Sequence, residues 1–324
     1  MDTTDKKLAK SRWRIRKEKL RRCKWALKNF LDSLVNVMAV SRDYMSSQRL
    51  ISRLRILKKS VELTEGNGSK CIHFVFGMKR SEEITYYQYI SIKSAHHFNR
   101  EFKIIFHYVY EPFGVYWDSI KSFVSVNQID QFEYYGIARF CHYAHKADII
   151  RLLALREIGG VYLDIDTLTL RSFEDLLLPA FVMGIQGDAH DEKGGLCNAV
   201  MAGQANSVFS RMWIRKYVSF RSRGRDSRWD YHSVKLPMLL YAEHTDLVTV
   251  RRHDFFFWPL WRDINRFLLA EGSNKYRSII DNSCVIHLWN GYNEKLLSSI
   301  NQEYISTSSS LYANLVREMG VKFD

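Results

Sequence analysis

The sequence predicts an α/β fold with a largely parallel sheet covered by helices, and three observations carry that prediction. Short apolar runs alternate with segments of helical spacing, the connections between them are short, and one run is apolar almost without interruption. In chain order, "CIHFVFG" (71–77) reads as a short buried strand ending in Gly77, residues 81–99 as a helix, and "FKIIFHYVY" (102–110) as a second strand. "ADIIRLLALREIGG" (147–160) carries Ile149, Leu152, Leu153 and Ile158 on one helical face, with Gly159 and Gly160 as a C-terminal stop. "VYLDID" (161–166) is then a strand whose continuous apolar part is expected when both faces are covered.

Composition bounds the rest. A chain of 324 residues can bury one or two substantial cores, and 46% hydrophobic with 14% aromatic content describes a globular protein. Five cysteines (Cys23, Cys71, Cys141, Cys197, Cys284) are scattered and never in a C-x-x-C pair, which argues against zinc fingers and a disulfide framework and for a reducing compartment. The formal charge is +13, yet residues 1–60 hold 18 Lys/Arg and 5 Asp/Glu, leaving 30 bases and 30 acids beyond them. The body is neutral and the excess sits in an N-terminal arm, so nucleic acid is not the expected ligand of the main fold.

The sequence therefore divides into a basic arm over 1–62 and a main domain over 68–324, joined by the turn-rich "ELTEGNGSK" (62–70). Within the arm, Leu20, Cys23, Leu27, Leu31, Leu34 and Met38 recur at helical spacing beside a dense run of Lys and Arg. No stretch of about 20 apolar residues spans a bilayer, and the start does not read as a cleavable signal. A basic amphipathic helix on an anionic membrane surface is one reading; a helix packed on the body with a solvated face is the other.

Asp164 and Asp166 interrupt the apolar run one residue apart. In a strand both would face the same side, where like charges repel unless a cation lies between them. Ligands of open α/β sheets bind beyond the carboxyl ends of strands, and a hard divalent cation there bridges carboxylates to substrate phosphates. A bare D-x-D is common by chance, but Asp148 and Arg151 lie three apart on the preceding helix, near the same end of the strand.

The combined string "ADIIRLLALREIGGVYLDIDTLTL" resembles the DXD-containing sugar-binding region of glycosyltransferase family 32, which includes α1,4-glycosyltransferases and, more distantly, the clostridial glucosylating toxins. Asp148, Arg151, Gly159, Gly160, Tyr162, Asp164 and Asp166 carry the match. "KCIHFVFG" is similar to the family's first strand, "VIHLWNG" (285–291) to its C-terminal motif, and "GLCNAVMAG" (195–203) stands where the family places an Asn near the donor sugar. The resemblance spans about residues 70–295 and leaves the arm unexplained; "HSVKLP" (232–237) replaces a family segment that helps shape the acceptor site.

The resemblance implies a GT-A-type, Rossmann-like glycosyltransferase that moves a hexose from a nucleotide-diphosphate sugar, a UDP-sugar, with Mn²⁺ or Mg²⁺ and retention of configuration. By this reading Asp166, Asp164 and His287 hold the metal, Phe76 stacks on the base, and Asp148, Arg151, Tyr162, Asp164 and Trp289 line the donor site. Asp164, Asp166 and Asn198 form the catalytic set. His287 also reads as a core histidine, Trp289 as a lid or plain packing, Tyr162 as structural, and "HDFFFWPLW" (253–261) as core or an acceptor platform. No carboxylate stands out as a covalent nucleophile, which leaves front-face and double-displacement routes open. The expected partner is a glycan or glycolipid acceptor in surface polysaccharide synthesis, with the enzyme cytoplasmic or peripheral on the cytoplasmic membrane face. A toxin-like protein glycosyltransferase and a nucleic-acid-binding protein acting through the arm are the alternatives.

Overall fold

The computed structural model describes residues 48–55, 57–58, 69–187 and 194–320, with the isolated positions 24, 27 and 45. Apart from Lys24 and Leu27, both exposed, the amphipathic segment 20–38 therefore lies outside the described residues. The chain runs β1 (Cys71–Val75), α1 (Tyr86–Phe98), β2 (Lys103–Tyr108), α2 (Val115–Lys121), β3 (Ser125–Gln128), the small hairpin β4 (Tyr134–Tyr135) and β5 (Ala138–Arg139), then α3 (Tyr143–Glu157), β6 (Gly160–Leu163) and β7 (Thr167–Thr169). After these come β8 (Phe181–Gln186), β9 (Gly195–Gly203), α4 (Val208–Lys216), α5 (Leu236–Glu243), β10 (Thr249–Arg251), α6 (His253–Phe256), β11 (Val285–His287), α7 (Asn290–Leu297), α8 (Gln302–Thr307) and α9 (Leu311–Glu318).

Seven strands form one sheet in the order β10-β8-β9-β6-β1-β2-β3. Pairings among β6, β1, β2 and β3 are parallel, as is β10 with β8, whereas β9 runs antiparallel between β6 and β8. The predicted fold class holds. The alternation of side chains explains why both faces are apolar: Ile72, Phe74, Ile104, Phe106, Val161 and Leu163 enter one core, and Cys71, Val75, Ile105 and Tyr162 enter the other. Helix α1 packs on the first face and α3 on the second. The helix expected over 81–99 begins at Tyr86, because Thr85 and Gln88 form a capping box there.

Gly159 and Gly160 end α3 and reverse the chain into β6 with φ of +80° and +102°. A Cβ on Gly160 would stand 2.4 Å from the Cys71 carbonyl oxygen, so the turn needs glycine for space as well as for φ. Beside this turn a buried polar chain crosses three strands. His73 Nε2 meets the Gly159 carbonyl at 2.9 Å, His73 Nδ1 meets His107 Nε2 at 3.0 Å, and His107 Nδ1 meets Asn127 Nδ2 at 2.9 Å. A carbonyl only accepts, so His73 carries its proton on Nε2, His107 donates to His73, and the Asn127 amide donates to His107.

One boundary differs from the sequence division. Leu50, Ile51 and Leu54, within the predicted arm, are buried in the same core as α3. Around them Arg49 pairs with Asp130, Arg53 donates to the Gln128 carbonyl, and Arg55 pairs with Glu157 at 2.9 Å. Charge counting missed this because three apolar side chains on one helical face decide the packing while the arginines reach outward. Leu54→Ala is therefore expected to cost roughly 2–5 kcal/mol in urea unfolding, whereas Arg49→Ala, at an exposed ion pair, should cost under about 1 kcal/mol. Deleting residues 1–60 should destabilise the body as Leu54→Ala does; a deletion with an unchanged unfolding midpoint would show that this stretch is not part of the core.

Candidate functional site

Asp164 and Asp166 do not lie in a strand. Strand β6 ends at Leu163, and the two acids occupy the short loop before β7. They converge for a different reason. Strand β11 pairs antiparallel with β7, setting His287 opposite Thr167, and the Leu288 amide donates to the Asp166 carbonyl at 2.8 Å. One ligand atom from each of Asp164, Asp166 and His287 then lies within 4.8 Å of the others. The site thus joins the carboxyl end of β6 to a segment more than a hundred residues later.

Each acid has its own counter-charge. His287 Nε2 stands 3.3 Å from Asp166 Oδ2, which also accepts the Asn290 amide at 2.6 Å. Burial pushes the Asp166 carboxyl up, but the charge of His287 and these hydrogen bonds outweigh it and hold the pKa below the usual range. Burial likewise opposes charge on His287, and Asp166 overrides it, so the imidazole pKa is raised. Asp164 is different. Burial raises its pKa, the Arg151 guanidinium opposes this, and nearby Asp166 adds to the rise. The Tyr162 hydroxyl donates to Asp164 Oδ1 at 2.6 Å, and Arg151 Nη1 pairs with the same oxygen at 3.0 Å, which leaves Oδ2 for another partner.

Arg151 is the hub of a second shell of contacts. It donates to the carbonyl and to Oδ1 of Asn198, at 3.0 and 3.1 Å, and lies 3.6 Å from Asp148. The Asn198 amide donates to Asp148 Oδ1 at 2.8 Å, and the guanidinium sits over the Tyr162 ring at 4.5 Å. Asp148, Arg151 and Asn198, expected at the sugar, thus largely satisfy one another and fix Asp164 from behind. Phe76 lies at the same sheet edge, just past β1, partly buried against the core. Trp289 is buried, its ring 4.4 Å from His287 and its indole N–H donating to the Pro259 carbonyl at 2.9 Å, which is packing behind the histidine. "HDFFFWPLW" is core at Phe256, Phe257 and Leu260, and exposed at Trp261.

Two contributors escaped the sequence reading. His145 pairs with Asp148 Oδ2 at 3.3 Å and with the Ser222 hydroxyl at 3.1 Å, tying the 222–226 loop to the site. Its place three residues before Asp148 on α3 was a usable signal. The Asn290 amide gave none, since every residue but proline carries one; it is aimed at Asp166 by Trp289, whose φ is +57°.

Three carboxylates meet one guanidinium and the His287 imidazole, which still leaves the pocket short of positive charge, and oxygen donors with one imidazole suit Mn²⁺ or Mg²⁺. Bonds of about 2.1 Å require ligand atoms up to about 4.2 Å apart, close to the spread present. His287 Nδ1 and Arg151 Nε are buried without a partner, as in a site awaiting further groups. The residues fit such an ion.

Residues 82–181 match the family described as glycosyltransferase sugar-binding region containing DXD motif, a span that includes Asp148, Arg151, Asp164 and Asp166. Glucan organizing enzyme 1 of Cryptococcus neoformans var. grubii is 30% identical over 257 residues, covering 76% of this chain and 69% of that protein. Among solved structures, the PaToxG glycosyltransferase aligns over 88% of this chain and 97% of its own at 16% identity, with a TM-score of 0.38. The galactosyltransferase LgtC, solved with donor and acceptor sugar analogues, aligns over 72% and 99% at 15% identity, with a TM-score of 0.37. These superpositions are loose, and the assignment rests on the sequence match with the DXD loop at its centre. The chain belongs to the glycosyltransferases whose sugar-binding region contains a DXD motif.

Proposed function

We propose that this glycosyltransferase moves a hexose from a UDP-sugar to a glycan or glycolipid acceptor with retention of configuration, using Mn²⁺ or Mg²⁺ bound by Asp164, Asp166 and His287. The observation that carries this reading is the convergence of those three side chains within 4.8 Å at the carboxyl edge of the sheet. When bound, the ion supplies positive charge to neutralise what develops on the diphosphate leaving group. Asp166 and His287, paired with each other in its absence, would exchange their shared proton for it. Arg151 and Tyr162 hold Oδ1 of Asp164 and so orient Oδ2 toward ion or sugar. Arg151 also opposes the rise in the Asp164 pKa that burial causes. Phe76 offers a ring at the end of β1 for the uracil. A glucan-related role of the relative, as its name states, supports a polysaccharide acceptor and a part in surface glycan synthesis. Among the described residues no helix is long and apolar enough to cross a membrane; the +13 arm gives the enzyme a means of lying on an anionic membrane face, which we take as cytoplasmic.

Asp166→Asn should abolish transfer and weaken Mn²⁺ binding to the folded protein in calorimetry by at least tenfold, and should also lower the unfolding midpoint, because it removes one partner of the buried pair with His287. Near wild-type turnover of this variant at saturating Mn²⁺ would sink the metal assignment.

Phe76→Ala should raise the donor KM about three- to tenfold through loss of a stacking ring, worth about 0.5–1.5 kcal/mol. An unchanged UDP affinity with lowered thermal stability would instead make Phe76 a core residue.

The full chain should float with anionic vesicles at low salt, and less so at high salt as the arm's charges are screened. Protein lacking residues 1–47 should stay in solution. Full-length protein that does not bind anionic vesicles at low salt contradicts the membrane role.

A further inference from the structure

Most of the aromatic run that precedes the last strand is buried, but its final residue is not. Trp261 is 42% exposed, and it stacks on Tyr292, 69% exposed, with ring centroids 4.8 Å apart and planes 25° from parallel. An isolated exposed apolar side chain needs no explanation; two large rings stacked face to face in water, 31 residues apart in sequence, leave an outer aromatic face that folding itself does not require. Leu296, one turn beyond Tyr292 on α7 and 38% exposed, extends it. The surface is fixed in place. Asn293 Nδ2 donates to the Trp261 carbonyl at 3.0 Å, and the Trp289 indole donates to the Pro259 carbonyl at 2.9 Å, so α7 and the 258–261 segment are tied together twice.

Its position relates it to the metal cluster. Helix α7 starts at Asn290, whose amide is bonded to Asp166, and Tyr292 follows two residues later, about 3 Å along the helix axis. The Tyr87 hydroxyl donates to Asn290 Oδ1 at 3.0 Å, which ties α1 to the start of α7. Trp261 and Tyr292 belong instead to the contact between α7 and the 258–261 segment. A donor whose nucleotide lies against Phe76 and whose diphosphate lies at Asp164, Asp166 and His287 leaves the aromatic pair for the second substrate. A pyranose ring has C–H groups on its faces and hydroxyls at its rim, so it matches a flat aromatic surface with water around the edge.

We propose that Trp261 and Tyr292 form the platform on which a pyranose ring of the acceptor glycan stacks. The inference rests on the donor placement above and identifies the acceptor as a carbohydrate rather than a protein side chain or a lipid tail.

The test measures binding of short gluco-, galacto- and manno-oligosaccharides to the full chain by calorimetry and tryptophan fluorescence, and separately binding of UDP with Mn²⁺. At least one oligosaccharide should bind the wild type. Trp261→Ala and Tyr292→Ala should each weaken that affinity about tenfold, or about 1.4 kcal/mol, while Tyr292→Phe, which keeps the ring, retains it. UDP affinity should persist in all three variants, which reports an intact donor side. Oligosaccharide affinity unchanged in both alanine variants overturns the platform, as a surface for a protein or lipid partner would give. So does a wild type that binds none of the oligosaccharides at millimolar concentration. Failure of UDP to bind the wild type overturns the donor reading alone, and the comparison of oligosaccharide affinities stands without it.

Discussion

One guanidinium makes the site possible. Asp148 and Asp166 are buried around the carboxyl end of β6 with Asp164 a quarter exposed beside them, and buried carboxylates are tolerated only when paired. Arg151 reaches Asp148 on its own helix, Asp164 beyond β6 and Asn198 on β9. It therefore fixes a helix, a loop and a strand against one another, and it rests on the Tyr162 face, which continues the core underneath. His287 does the same for Asp166 from the far end of the chain. The compensation is incomplete, and the divalent cation proposed above would answer the remaining charge. The pairing that makes the carboxylates tolerable also orients them.

The fold was legible because its signals are local. Continuous apolar strands, a glycine pair after a helix and short connections can be read from neighbouring residues, and the parallel part of the sheet followed. The antiparallel β9 did not, since its direction depends on partners on both sides rather than on its own pattern. Of the site, Asp148, Arg151, Asp164, Asp166 and His287 are brought into one network, because carboxylates at a strand end and a helix-borne arginine have chemical meaning wherever they occur. The resemblance carried the rest of that expectation. What it could not convey is which groups face inward: Asn198, Asp148 and Arg151 use their polar atoms on each other, and Trp289 supports His287 from behind. Net charge likewise says nothing about Leu50, Ile51 and Leu54, which enter the core from within the basic arm.

A glycosyl transfer brings a donor and an acceptor to one point without mixing their demands. By the proposed reading the elements around His287 would divide that labour, with Phe76, Lys79 and Tyr87 serving the donor and Trp261 and Tyr292 the acceptor. Lys79 and Tyr87 offer charge and hydrogen bonds, whereas Trp261 and Tyr292 offer aromatic faces. A polar diphosphate and a sugar face would be sorted by chemistry before they are positioned by shape.

The polar chain through His73, His107 and Asn127 has a direction, since every link passes a donor toward the Gly159 carbonyl. A proton added to either ring would set two donors against each other or against the asparagine amide. Burial accordingly lowers the His73 pKa to about 4 and that of His107 well below its ordinary 6.5. Above pH 6.5 both rings are neutral folded or unfolded and no pH dependence arises from them. Below it the unfolded chain takes up protons the folded sheet refuses, so stability falls between about pH 6.5 and 4. Acid would thus act on the β1–β2–β3 side of the sheet and on the glycine turn that leads through β6 to the DXD loop, which makes the acidity of its surroundings a limit on where this enzyme can stay folded.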